Sequence, residues 1–349
     1  MSSIKNMQNK LFKNDGRCLI VAEISANHGK DFSKAVAMIK AAKKCGADAV
    51  KFQAYTPDTL TIDVDSRFFK IAHPKWGGQT LYDLYKKAYT PLSWFKKLKK
   101  VSDDLNIVFF STAFDKATVD FLETVGVPLH KIASFELVDL PLIEYAAKKK
   151  KPIILSTGMA TFNEIKDAIN AARKGGADDI VLLKCTSSYP AKPEEMNLRA
   201  IPDMKKRFKC SVGFSDHTMG IATPIVAATL GAVMIEKHFT LSRKIKTPDS
   251  FFSIEPQELK SLVENVRIAE KSLGGIHYGL SPEEKKNLIF RRSLFVVKYI
   301  KKGEYFTEDN VRSIRPSDGL PPKYLKAILG KKVKEDVEMG TPLNWDLIK

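Results

Sequence analysis

Short apolar runs alternate with longer amphipathic stretches along most of this chain. The runs at 18–23 (CLIVAE), 49–52, 107–111, 131–133, 152–156, 180–184, 211–214 and 233–236 are three to six residues long. Such short, mostly apolar segments predict strands buried on both faces, as in a parallel sheet. Helices are predicted between them at 31–45, where Gly46 stops the first, then at 92–105, 116–125 and 140–149. A fifth opens on the capping box Thr161-x-x-Glu164, a sixth is less well defined within 194–208, and the last two span 219–230 and 256–273. Eight strand-helix units over the first 275 residues have the count and length of a (β/α)8 TIM barrel. A doubly wound sheet is the alternative, but no glycine-rich dinucleotide turn supports it.

Two regions break the alternation. The stretch 53–91, with YTPDTLT and HPKWGGQTLYDLY, is long for a loop inside a compact unit, which suits a lid or a binding loop. Past Gly274-Gly275 the pattern changes to short strands and turns. The predicted organisation is a barrel over 1–280, a linker over 281–289 and a small domain over 290–349. Within that domain Ile300-Lys301-Lys302-Gly303-Glu304 and Val337-Glu338-Met339-Gly340-Thr341 each read as a strand entering a tight glycine turn. A domain of about sixty residues is small to stand alone and is expected to lean on the barrel or on another subunit. No apolar run reaches the length of a membrane span and the first residues lack a secretory apolar block, so the expected location is cytoplasmic, with no membrane partner.

The net charge of +17 raises the possibility of nucleic-acid binding. Its lysines, however, sit in helix-like stretches such as 96–100 and 148–151, and no nucleic-acid module accompanies them. Solvated helix faces account for that charge, and no nucleic-acid partner is expected. A small anionic substrate needs only a few buried cations. Cys18, Cys45, Cys185 and Cys210 show neither pairing nor metal-ligand spacing, which predicts reduced thiols.

Candidate chemistry follows from the strand ends, where barrels of this kind collect their active groups. The segment 213–238 reads strand, helix, strand, and places His217 and His238 at neighbouring mouths, where two imidazoles can hold a divalent metal. Lys51 and Lys131, with the hydroxyls of Thr112, Ser134, Ser156 and Ser215, suit a phosphate and a carboxylate, although either lysine can equally pair with a rim acid. Glu23 and Glu136 are candidate proton handlers, and Asp249 either orients a sugar hydroxyl or a metal-bound water, or closes an Asx turn.

The strings AEISANH (22–28), KFQAYTPDTLT (51–61), FSTAFD (110–115), KIASFE (131–136), LSTGMAT (155–161), KCTSSYP (184–190), GFSDHTMG (213–220) and IEKHFT (235–240) resemble the sialic acid synthases. Within that family YTPDTLT, WGGQTLYDLYKKAYTP and SFE resemble the branch whose product is pseudaminic acid. The carboxyl-terminal module resembles the antifreeze-like, or SAF, domain. The resemblance implies condensation of phosphoenolpyruvate with an open-chain amino sugar, assisted by a divalent metal, Mn2+ with Mg2+ or Co2+ as alternatives. It assigns the metal to His217 and His238, and phosphoenolpyruvate to Lys51, Thr112, Lys131, Ser134, Ser156 and Ser215. It assigns the sugar to Gln53, Glu136, Tyr189 and Asp249, and the general base to Glu23. Ser187 stands where many members carry asparagine, which implies a rearranged phosphate contact. Phe135 adds apolar bulk beside the sugar, suiting 2,4-diacetamido-2,4,6-trideoxy-L-altrose over N-acetylmannosamine or the legionaminic acid precursor. Arg315 resembles an arginine that a partner subunit's SAF domain extends into the barrel mouth, which implies a domain-swapped homodimer.

Overall fold

The computed structural model describes residues 17–73 and 75–349. Strands β1 (Leu19–Glu23), β2 (Ala49–Ala54), β3 (Val108–Ala113), β4 (His130–Ile132), β5 (Ile153–Ser156), β6 (Ile180–Cys185), β7 (Ser211–Asp216) and β8 (Met234–His238) form a closed parallel barrel. They pair in chain order, and β8 returns to β1. Helix α1 (Phe32–Lys44) follows β1, and the insertion after β2 contains α2 (Leu81–Ala88). The remaining crossovers carry α3 (Phe95–Asp104), α4 (Lys116–Val125), α5 (Leu140–Ala147), α6 (Phe162–Lys174), α7 (Ala200–Phe208), α8 (Ala222–Thr229) and α9 (Pro256–Leu273). The cap expected from sequence forms, Thr161 accepting from Glu164 N at the start of α6, and Asp31 likewise accepts from Lys34 N at the start of α1.

The period of two along each strand sorts its side chains. Outward-facing Ile20, Val50, Phe109, Leu155 and Ile235 join the helices in the larger core. Inward-facing Leu19, Val21, Phe110, Ile154, Val181 and Met234 fill the foot of the barrel as a second apolar cluster. One step further along the same faces the inward positions turn polar, at Glu23, Lys51, Thr112, Lys131, Ser156, Ser215 and Glu236. The fold thus places a polar layer above an apolar plug. Gly213 lies in that interior because a Cβ there would meet Leu183 at 2.6 Å and the Met234 carbonyl at 2.7 Å.

Both β7 and β8 run two residues past their predicted ends, to Asp216 and His238. Their outward charges explain why a strand survives there: Lys237 Nζ donates to Asp216 Oδ2 at 2.5 Å and to the Thr218 carbonyl at 2.6 Å. A charge is tolerated beneath a helix layer only when it is paired in this way. The basic stretches are surface features as expected, with Lys99 and Lys100 paired to Asp103 and Asp104 one helical turn on.

The chain divides into two compact units after Gly274, at the glycine pair where the sequence pattern changes; α9 ends at Leu273, so residues 275–280, assigned to the barrel from sequence, fall in the second unit. The segment expected as a plain linker carries a short helix, Pro282–Lys286, capped by Ser281. The second unit holds an antiparallel pair, β9 (Ser293–Val296) and β10 (Val311–Ile314), around Leu294, Val296, Phe306, Ile328 and Leu343. Its two glycine-turn phrases meet each other, Ile300 and Val337 exchanging backbone hydrogen bonds of 3.0 and 2.9 Å. Gly303 and Gly340 take φ of 89° and 93°, which explains the residue type at both turns. Among the described residues no helix is long and apolar enough to cross a membrane, and all four cysteines are free.

Candidate active site

The polar layer is an ordered set of buried charges. Barrel register sets Glu23 beside both Lys51 and His238, and Ser215 beside Glu236. The Lys51 ammonium lies 2.7 Å from Glu23 Oε2 and donates to Glu236 Oε1 at 2.6 Å. All three side chains are at most 5% exposed. Burial draws Lys51 down to about 8, with Glu236 opposing it. Burial pushes Glu236 up, but the ammoniums of Lys131 and Lys51 outweigh it and hold the carboxyl at about 2. The second cation, Lys131, donates to Ser156 Oγ at 2.7 Å and to the Ile132 carbonyl at 2.9 Å.

Lys51 was expected at a strand end and instead points into the barrel from the middle of β2, because Gln53 and Ala54 continue the pairing with β3. Thr112 is paired in register with Lys131. Ser134 accepts from Gly158 N at 3.1 Å, and a Cβ on Gly158 would meet Ser187 Oγ at 2.2 Å and Ser134 Oγ at 2.7 Å. Three strand-end loops therefore crowd small groups around one point, and only glycine fits between them. Residue-type reasoning missed Gly158, although it stands in the LSTGMAT string; the pairing of Lys51 with a rim acid, which the sequence left open, is made with Glu23 and Glu236.

The two imidazoles converge. Their ring centroids are 5.4 Å apart, with Tyr189 at 4.3 Å from His217 and Phe252 at 4.7 Å from His238. His217 Nδ1 lies 2.9 Å from the Thr186 carbonyl, and since a carbonyl only accepts, that nitrogen carries a proton and Nε2 is the one that can face a cation. His238 is held well below its ordinary value by burial and by His217, so its ring is neutral. Its buried Nδ1 has no hydrogen-bond partner, with Asp249 Oδ2 at 3.8 Å. Burial pulls His217 down, but Cys185 beside it and the Thr186 carbonyl outweigh that and raise it above its ordinary value; a divalent cation at this pair would displace that proton, and two imidazole nitrogens beside carboxylates are a donor set that fits one. Among the described residues no group of three His, Cys, Asp or Glu side chains has metal-site geometry.

Asp249 does not close an Asx turn of its own. Its Oδ2 accepts from Ser25 Oγ at 2.5 Å and lies 3.4 Å from Ala26 N, bringing the loop after β8 onto the turn after β1. Asn27 fixes that contact, donating to the Phe239 carbonyl at 2.9 Å and to Ser253 Oγ at 2.8 Å, and accepting from Thr247 Oγ1 at 2.6 Å.

Gln53, Glu136, Tyr189, His238 and Asp249 line a cavity of about 360 Å³ that opens over this layer. Burial pushes Glu136 up to about 7 against the pull of Lys131. The insertion closes much of the rest of the cavity, with Leu60, Ile71, Trp76, Leu84 and Tyr85. The sequence signal for that wall is the spacing of Leu81, Leu84, Tyr85 and Ala88 at i, i+3, i+4 and i+7. Phe135 also lines the cavity, as expected from its place beside Glu136. Arg315 belongs to the second unit, where it is exposed.

Buried polar atoms without protein partners are rare in native folds. Among the described residues Glu23 Oε1, Thr112 Oγ1, Glu136 Oε2, Glu236 Oε2 and His238 Nδ1 are of this kind, and all belong to this barrel mouth. His130 Nδ1, at the foot of the barrel, stands apart from them.

A model of the NeuB family matches residues 38–278, and a SAF domain model matches 291–349. The chain is similar to a pseudaminic acid synthase of Campylobacter jejuni, at 44% identity over 97% of this chain and 98% of the relative. A pseudaminic acid synthase of Helicobacter pylori is 45% identical over 95% of this chain and 97% of its own length. Among solved structures, an N-acetylneuraminic acid synthetase of Leptospira borgpetersenii in complex with citrate superposes with a TM-score of 0.69 at 34% identity, covering 78% of this chain and 90% of that one.

Proposed function

The chain belongs to the NeuB family, and on that premise we propose its reaction: it is a pseudaminic acid synthase that condenses phosphoenolpyruvate with 2,4-diacetamido-2,4,6-trideoxy-L-altrose and water, giving pseudaminate and phosphate. The observation that carries this reading is the barrel mouth itself, where unpartnered buried polar atoms surround two ammoniums and two imidazoles next to a sugar-sized cavity.

Lys51 and Lys131, with the hydroxyls of Thr112, Ser134, Ser156, Ser187 and Ser215, bind the phosphate and carboxylate of phosphoenolpyruvate. Such charge-assisted contacts are strongest where water is excluded, and Lys131 is 1% exposed. Gln53, Tyr189 and Asp249 hold the amino sugar so that its aldehyde carbon faces the enol carbon, and the new carbon–carbon bond forms between them. Glu136 holds a proton at the aldehyde oxygen. Glu23 takes a proton from the water that adds to the other enol carbon, and phosphate then leaves from that carbon with its bridging oxygen. A divalent cation, Mn2+ with Mg2+ or Co2+ as alternatives, is held by His217 and His238 and, when bound, supplies Lewis-acid polarisation of a carbonyl oxygen. Arg315 completes the mouth of a partner subunit in a domain-swapped homodimer, a role that its exposure suits.

The test is phosphate release from phosphoenolpyruvate over a panel of amino sugars. Turnover is expected with the trideoxy diacetamido altrose; efficient use of N-acetylmannosamine or of the legionaminic acid precursor in its place would reassign the enzyme to the corresponding synthase.

Two further outcomes follow from the site. In Gly158→Ala the added methyl meets the Ser134 and Ser187 hydroxyls, so KM for phosphoenolpyruvate is expected to rise about tenfold or more, read by steady-state kinetics. Glu136 is protonated below about 7 and ionised above it. A role as proton holder therefore makes kcat/KM fall as pH rises through 7, and Glu136→Gln, which cannot ionise, should flatten that limb of the profile.

A further inference from the structure

The insertion between β2 and α3 turns its apolar side toward the sugar cavity. Leu81, Leu84, Tyr85 and Ala88 form one stripe of α2, all line the cavity, and none is fully buried. The opposite face, with Asp83, Lys86 and Lys87, is exposed. An amphipathic helix ordinarily satisfies such a stripe against a core; here the stripe faces a space shared with Glu136, Tyr189 and Asp249. Ile71 and Trp76, from the turn before α2, extend the same surface.

The insertion is fixed in place. Trp76 Nε1 donates to the Pro248 carbonyl at 2.9 Å, and the indole lies 5.7 Å from Tyr189 and 6.1 Å from Phe251, ring to ring. A bridge between Lys70 and Thr80 closes the turn. At the far end His28 Nδ1 accepts from Lys30 N, so Nε2 carries the proton and donates to Thr90 Oγ1 at 2.9 Å. Burial holds the His28 ring down to about 4, which keeps this tautomer in place across the neutral range.

A cavity that is polar at the strand ends and apolar along the insertion matches a sugar with the same division. A hydroxyl set against Ile71 and Leu84 would lose its water and gain no partner, whereas a methyl group there gains contact. We infer that Ile71, Trp76, Leu84 and Tyr85 form the specificity-determining wall of the sugar site, taking the terminal methyl and acetamido methyl groups and disfavouring a hydroxylated chain end. This rests on the reaction proposed above and deepens it by naming what selects the substrate.

The experiment compares 2,4-diacetamido-2,4,6-trideoxy-L-altrose with the counterpart that keeps its terminal hydroxyl, 2,4-diacetamido-2,4-dideoxy-L-altrose, by phosphate release with saturating phosphoenolpyruvate and Mn2+. The unaltered enzyme is expected to favour the trideoxy sugar by roughly 10- to 100-fold in kcat/KM, the range that an apolar pocket achieves against one added hydroxyl. Leu84→Ser and Ile71→Ser should raise KM for the trideoxy sugar about tenfold, leave kcat within about twofold, and narrow the preference by the same factor. Leu84→Met, which keeps volume and polarity, should retain the preference. Equal losses on both sugars in the serine variants, or a preference unchanged by them, would overturn this inference alone. An unaltered enzyme that turns over neither sugar would overturn the proposed reaction and the inference with it.

Discussion

Phosphate release is expected to fall by about a thousandfold or more in His238→Ala, the scale of losing a preorganised electrostatic contact to the reacting group. The ring is neutral and buried, its Nδ1 has no hydrogen-bond partner, and its neighbour is the other imidazole at 5.4 Å. Structural loss should be small, because Phe252 and Tyr189 border the ring and the β1–β8 pairing is made by backbone. Far-UV circular dichroism should therefore be unchanged, and titration with Mn2+ should show weakened binding. Chelation by EDTA should reproduce the loss in the unaltered enzyme, reversibly. Full activity in the variant would remove His238 from the ligand pair and with it the case for a metal at this mouth.

The second large effect is on stability. Lys51→Met leaves Glu23 and Glu236 facing each other with no cation between them, in a layer at most 5% exposed. Breaking a buried ion pair by removing one partner costs about 3–5 kcal/mol. The pH dependence distinguishes this cause from simple loss of packing. In the unaltered protein Glu236 is depressed to about 2. Its contribution to stability is therefore present above the unfolded carboxylate range and lost as pH falls through that range toward 2. Without Lys51 only Lys131 remains to hold two buried carboxyls ionised, so burial and their mutual repulsion raise the folded value of one of them above the unfolded one. The variant should then regain stability relative to the unaltered protein as pH falls from 7 to 5, read from chemical denaturation at each pH. Lys51→Met combined with Glu236→Gln should recover part of the loss at pH 7. A deficit independent of pH would refute the ion-pair account.

Much of this site follows from a rule that a single strand already obeys. Once a run is a strand, residues two apart share a face, so CLIVAE places Leu19, Val21 and Glu23 together, and MIEKH does the same for Met234, Glu236 and His238. The change from apolar to polar along these faces separates the barrel plug from the reacting layer; the polar end was legible in the inventory of strand ends, and the plug appears only when the strands close. The end of β2 was placed two residues early, at 52 instead of Ala54, because it is set by the pairing of Gln53 and Ala54 with β3 rather than by its own composition. The insertion at 53–91 could be recognised only by its length, since its conformation depends on long-range contacts such as Trp76 to Pro248 and His28 to Thr90.

The chain's own pattern determined the eight strand-helix units, the inventory of polar groups at their ends and the presence of a second, turn-rich unit, because period, caps and breakers act over a few residues. Tertiary structure alone decided that Lys51 is shared by Glu23 and Glu236, that Glu23 adjoins His238, and that α2 turns its apolar stripe onto the sugar cavity. Closure of the barrel brings β8 against β1, and the register of that closure comes from packing all eight strands at once. No local stretch of sequence carries that information.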